Sequence, residues 1–112
     1  FNLNYFNIIL VSLCAGIGEE IFFRAALQPI IGIWPTAIIF VILHCYINPR
    51  NWRISIYGFF MIIIMLGIGY LYETVGLISV MVAHTVIDII LFYMLMNKRK
   101  EFSNEYTDPL RD

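Results

Sequence analysis

Long stretches of this chain carry no charged residue, and their length decides which solvent the chain can fold in. Residues 1–18 have none, 25–49 have only the titratable His44, 54–72 have none, and 74–87 have only His84. A bilayer's hydrocarbon core is roughly 30 Å thick and takes about 20 helical residues to cross, and tolerates somewhat fewer. The uncharged stretches are of that size. Of the 112 residues, 61% are hydrophobic and 13% charged, whereas soluble domains carry about a quarter charged residues. The expected fold is all-α: a polytopic transmembrane helical bundle with about four membrane-embedded helices.

The formal net charge of -1 argues against a nucleic-acid partner, since phosphate binding needs a basic surface and the cations here collect at the ends of spans. Cys14 and Cys45 both fall in apolar segments without a CxxC spacing, so they read as two small buried hydrophobes. Residue 1 is Phe, in an apolar run with no basic stretch before it. The chain therefore reads as the C-terminal part of a longer protein, with further spans upstream.

Four segments follow from the breakers. The first covers about residues 3–28 and stops at Pro29 and Gly32; the second covers about 35–47, from Trp34-Pro35 to Asn48-Pro49. The second is short for a full crossing and suits a half-span surrounded by protein. The third, about 53–72, lies between Trp52 and the pair Tyr70 and Tyr72, where interfacial aromatic rings belong. The fourth runs from about Leu77 to Asn97 and meets Lys98, Arg99 and Lys100. Residues 1–97 thus form the membrane core, and 98–112, with Asp108-Pro109, a polar tail. Four spans put Arg50, Arg53, Lys98, Arg99 and Lys100 on one side and only Glu73 on the other. By the positive-inside rule the multi-pass protein keeps its tail in the cytoplasm.

Six ionisable residues lie inside the spans: Glu19, Glu20, Arg24, His44, His84 and Asp88. Each charge costs about 3 kcal/mol at a bilayer centre on insertion scales, so such residues point to function. Counting at about 1.5 Å per residue from the non-cytoplasmic ends puts Glu20, His44 and His84 roughly 12–14 Å deep. Three helices therefore bring polar groups to one layer, as a shared cavity requires. Glu20 and Arg24 are four apart and can pair along the helix, while Glu19 is turned about 100° away. A carboxylate left free in such surroundings suits a general base that takes a proton from water. His84 and Asp88 are also four apart, so Asp88 could fix the tautomer of His84. Phe40 lies one turn before His44 and could wall the cavity. Gly16 and Gly18 would let a neighbouring helix approach closely.

In order, Glu19-Glu20-Ile21-Phe22-Phe23-Arg24, Phe40-Val41-Ile42-Leu43-His44 and His84-Thr85-Val86-Ile87-Asp88 resemble the motifs EExxxR, FxxxH and HxxxN. These are the three motifs of the CAAX-protease and bacteriocin-processing (CPBP, or Abi) family of intramembrane proteases, and the resemblance spans roughly residues 12–95. It implies peptide-bond hydrolysis in the membrane, as in the type II CAAX enzymes that remove the last three residues of prenylated proteins. The implied partners are the lipid bilayer and a peptide or protein substrate, either prenylated or a bacteriocin leader. Glu19 matches the family's water-activating glutamate, Glu20 and Arg24 its paired structural positions, and His44 and His84 the histidines that hold water and stabilise the oxyanion.

Asp88 stands where the family usually has Asn. An Asn amide can donate a hydrogen bond to an oxyanion, whereas an ionised Asp can only accept one. Three readings of Asp88 stay open: a protonated acid, a positioner of His84, or a metal ligand. Glu19, His44, His84 and Asp88 would be an acceptable zinc set; the favoured reading is a glutamate mechanism that requires no cofactor. Two other classes share these residues. One is a proton-coupled transporter, although no inverted repeat is visible. The other is a non-catalytic bacteriocin self-immunity or scaffold protein.

Overall fold

The computed structural model describes residues 4–107. Asn4 opens helix α1, Tyr5–Ile31, by accepting the Asn7 N–H on its side-chain oxygen at 2.8 Å. The helix runs through Pro29, where the sequence suggested a stop. Proline lacks an N–H and crowds the carbonyl four residues back. Residues Ile21–Leu27, just before it, are wound as a π-helix, which loosens the turn that Pro29 enters. Gly32, at φ 91°, then reverses the chain in a conformation that favours glycine.

Helix α2, Ile33–Leu43, is the expected half-span, but it ends four residues earlier than the 47 read from the sequence. At about 1.5 Å per residue its 11 residues reach roughly 16 Å, half of a bilayer core. Its end is closed by paired bonds from Cys45 N to Ile42 O and from Tyr46 N to Val41 O, with Cys45 at φ 58°. This 6→1 and 5→2 pattern is a Schellman motif, and it places His44 at the helix terminus rather than within the helix. The left-handed residue is usually glycine, and a side chain there costs about 1 kcal/mol.

Helices α3, Trp52–Val75, and α4, Leu77–Thr107, are joined through Gly76 at φ 114°. Three helices, α1, α3 and α4, are long and apolar enough to cross a membrane. α4 continues ten residues past the span expected to close at Asn97, so the polar tail is helical and exposed over residues 98–107. Lys, Arg and Glu are good helix formers, and extending an existing helix needs no new nucleus. The Asp108-Pro109 step lies outside the described residues.

The bundle is sorted in the opposite sense to a soluble protein. Along α1 the buried positions recur every fourth residue as Ile8, Ser12, Gly16, Glu20, Arg24 and Gln28, a mostly small or polar stripe. Outward positions carry Phe6, Ile17, Phe22 and Ile30, and on the other helices Phe59, Phe60, Ile78 and Val82. Lipid leaves no driving force to hide apolar groups, so polar groups take the interior and satisfy one another. An apolar cluster of Phe23, Phe40, Val41, Met61, Met65, Ile68 and Val80 fills the centre between them. Cys14 and Cys45, expected to be buried, are both exposed. Cys14 faces outward from α1, and Cys45 occupies the left-handed turn.

α1 lies along α4, α2 along α3, and α3 against α4. The α1–α4 approach depends on Gly16, where a Cβ would lie 2.9 Å from Thr85 N and 3.0 Å from Met81 O. Gly18, expected to share this role, has nothing within 4 Å of such a Cβ. Gly16→Val is therefore expected to destabilise the detergent-solubilised protein by about 1–3 kcal/mol, the usual cost of overpacking. Gly18→Ala should leave the thermal midpoint unchanged or raise it, since alanine is the better helix former and meets nothing there. Equal midpoints for the two variants would contradict the close helix approach.

Candidate active site

Glu19 and Glu20 end the regular α-helical part of α1, and the π-helical turns begin at the next residue. π-Helical turns inside α-helices are frequent at functional sites, because they re-aim side chains without ending the helix. The two glutamates point to different surroundings, as their spacing implied. Glu20 is fully buried, whereas the Glu19 side chain keeps 30% of its surface open.

The Glu20 carboxylate holds two partners. Its Oε2 lies 3.3 Å from Arg24 Nε, and its Oε1 accepts a hydrogen bond from His84 Nδ1 at 2.5 Å. The Arg24 contact is an ion pair without hydrogen-bond alignment, since Glu20 Oε2 and Arg24 Nε both lack an aligned partner. Arg24 also donates through Nη2 to Met65 O at 3.3 Å, tying α1 to α3. One turn on, Gln28 Nε2 donates to Gly69 O at 3.1 Å and to Glu73 Oε1 at 3.3 Å. Thus the polar face of α1 is secured to α3 and α4 around a buried charge pair.

Fixing His84 through Nδ1 turns its Nε2 toward a cleft of about 230 Å³ lined by Glu19, Phe40, His44, Tyr46, Tyr57, Met61, His84, Asp88 and Phe92 among others. His44 is set in a similar way. Its Nδ1 lies 2.8 Å from Phe40 O, to which it donates, and its ring stacks on Phe40 with centroids 4.1 Å apart. His44 Nε2 then faces Glu19 Oε1 at 3.4 Å, and His84 Nε2 faces Glu19 Oε2 at 3.7 Å. Glu19 is therefore flanked by the same ring atom of two histidines, each with its other nitrogen engaged. Phe40, only 2% exposed, walls the cleft as the sequence suggested.

Of the three readings open for Asp88, direct positioning of His84 is the one the geometry speaks against. Its Oδ2 is 3.7 Å from His84 Nε2, beyond hydrogen-bond range, and Glu20 rather than Asp88 orients the ring. Asp88 instead lines the cleft beside Glu19. Among the described residues no group of three or more His, Cys, Asp or Glu side chains is arranged to hold a metal ion. Two cleft residues, Tyr46 and Tyr57, were not anticipated. Tyr46 is two residues beyond the FxxxH match, and Tyr57 is one of several tyrosines near a span end, so neither spacing marked it.

An integral membrane helical bundle with a carboxylate–imidazole cluster in its interior is thus the class that fold and site define together. The chain matches the model of the type II CAAX prenyl endopeptidase Rce1-like family over residues 1–90, and it belongs to that family. At the level of the family this makes it a CAAX-type intramembrane protease. The matched span contains every site residue named above except Phe92. No curated protein and no solved structure matches the chain.

Removing the cation at the centre of this arrangement would strand a fully buried carboxylate. Arg24→Ala is expected to destabilise the protein by about 3–5 kcal/mol, the range for breaking a buried ion pair. Thermal unfolding in detergent micelles checks this, and an unchanged midpoint would show that Glu20 does not depend on Arg24.

Proposed function

We propose that the chain is an intramembrane endopeptidase in which Glu19 activates water to hydrolyse a peptide bond of a prenylated CAAX-type substrate, without a metal ion. The observation that carries this reading is the position of Glu19, between His44 Nε2 at 3.4 Å and His84 Nε2 at 3.7 Å at the edge of an open cleft. Neither contact is a direct hydrogen bond, so the Glu19 carboxylate and both Nε2 atoms can take up a water in the cleft beside them. The family's description as a type II CAAX prenyl endopeptidase supports this choice of substrate class. The apolar cleft wall, with Phe40, Met61, Leu91 and Phe92, is compatible with a lipid-modified chain.

In the proposed step one water proton passes to Glu19 as the water oxygen bonds to the substrate carbonyl carbon. The carbonyl π pair moves onto its oxygen. When the tetrahedral intermediate collapses, the C–N bond breaks and the proton held by Glu19 goes to the leaving nitrogen, so one water is consumed per bond cut. His44 and His84 orient the water through Nε2, because Phe40 O and Glu20 fix their Nδ1 sides.

General-base help of this kind is worth about 10²–10⁴-fold in rate. Glu19→Gln should therefore lose cleavage of a farnesylated CAAX peptide by at least about 100-fold while keeping its expression and thermal midpoint. Cleavage at the wild-type rate in that variant would remove Glu19 from the chemistry. In the same assay, wild-type activity should survive dialysis against 1,10-phenanthroline; activity lost to the chelator and restored by zinc would replace the proposed mechanism with a metal-dependent one.

A further inference from the structure

The cleft extends beyond Glu19 and the histidines. Its lining climbs through Ala15 and Val11 on α1 and through Leu91 and Phe92 on α4. Both rows lead toward the end of the bundle where α1 starts and where α4 leaves it. With 31 residues at about 1.5 Å each, α4 is roughly 46 Å long, about 16 Å more than a bilayer core takes. The family match ends at residue 90, before this surplus begins.

The face of α4 that lines the cleft continues along the extension. At about 100° per residue, His84, Asp88, Leu91 and Phe92 fall in a sector about 100° wide, and Leu95, Arg99, Phe102 and Tyr106 fall in the same sector. Leu95, Phe102 and Tyr106 are exposed and shape shallow hollows together with Glu101 and Glu105. The start of α1 packs on another side: Tyr5 lies against Tyr93 and under Lys100, roughly 120–140° round the helix from Asp88. Charge changes sign along the same stretch. Lys98, Arg99 and Lys100 come where the helix leaves the hydrocarbon, at the level of lipid phosphates. Glu101 and Glu105 follow one turn apart, and among the described residues neither carboxylate has an ion pair.

We infer that the α4 extension is an exosite for the substrate polypeptide upstream of the cut bond: an extended segment with apolar side chains on Phe102 and Tyr106 and basic side chains facing Glu101 and Glu105. This rests on the hydrolytic reading of the cleft. Along the axis, Phe102 lies about 21 Å and Tyr106 about 27 Å beyond Asp88, which an extended chain at about 3.3 Å per residue covers in roughly six and eight residues. Prenylated cysteines usually follow basic residues, so the charge of the exosite suits the proposed substrate class. Contacts made this far from the reacting bond are the same in the bound substrate and in the transition state, so they lower KM and leave kcat alone.

The test uses the full chain in proteoliposomes with two fluorogenic farnesylated CAAX peptides, one with about four residues before the cysteine and one with about twelve, the longer carrying lysines roughly six to eight residues upstream. Wild type should show a KM at least about tenfold lower for the long peptide, the scale of one or two aromatic hot-spot contacts. The double variant Phe102→Ala, Tyr106→Ala should raise the long peptide's KM to that of the short one, with kcat for both and KM for the short peptide unchanged. The double variant Glu101→Lys, Glu105→Lys should bind the lysine peptide less well and prefer a long peptide with glutamates in those places. Equal KM values for long and short peptides in wild type, or a charge-reversed variant that still prefers lysine, would overturn the exosite. So would an aromatic variant that loses both peptides alike, the result expected if this face met lipid or a second copy of the chain. A wild type that leaves both peptides uncut would overturn the hydrolytic reading and this inference with it.

Discussion

The Glu20 carboxylate has no contact with solvent, yet it answers Arg24 on its own helix and His84 on the last one. A lone carboxylate in that position would cost several kcal/mol, and an arginine beside it would cost as much again. Placed together, with Met65 O taking a further Arg24 proton, the two groups become affordable and bind α1 to α3 and α4. Buried pairs of this kind add little net stability over an apolar core, but they specify geometry, since any shift of one helix leaves a charge unpartnered. That specification passes to the cleft through His84. With Nδ1 held by Glu20, the ring has one orientation left, and its Nε2 is presented to Glu19.

Close helix approach makes the same interaction possible. Gly16 lets α1 and α4 meet one turn from Glu20, and Thr85, its neighbour across the interface, follows His84 in sequence. The short α2 contributes from the other side. Because its Schellman turn ends the helix at His44, the imidazole sits at a helix terminus, with Phe40 beneath it and the Tyr46 ring against it. A longer helix would have carried the chain past the cleft. The half-span is thus less a failed crossing than the means of bringing a histidine to the level of Glu19.

Much of this was legible in the residues. Uncharged stretches set the helices, and the four-residue spacings of Glu20 with Arg24 and of His84 with Asp88 set the shared faces. The depth count put Glu20, His44 and His84 in one layer, and in the structure His84 contacts Glu20 while both histidines face Glu19 beside it. What the spacing could not reveal were contacts between helices. Glu20 and His84 are 64 residues apart, and nothing local marks Glu20 rather than Asp88 as the partner of the ring. The π-helical turns hid the true end of α1, since a proline normally stops a helix and here does not. Tyr46 and Tyr57 resembled ordinary interfacial aromatics, and only the fold of the 44–51 segment over Gly58 joins them. That the polar run after Asn97 is helical was not legible, because composition alone does not show that a helix can continue from one already formed.

Whether water itself is the nucleophile is the point on which the chemistry turns, since Glu19 could in principle attack the carbonyl directly. Single-turnover cleavage of a farnesylated CAAX peptide, with enzyme in excess and in ¹⁸O-enriched water, measures this by mass spectrometry of the new carboxylate. Attack by Glu19-activated water places one ¹⁸O atom there in the first turnover. A first-turnover product without label, its new oxygen drawn from the enzyme's own carboxylate, would contradict the role assigned to Glu19.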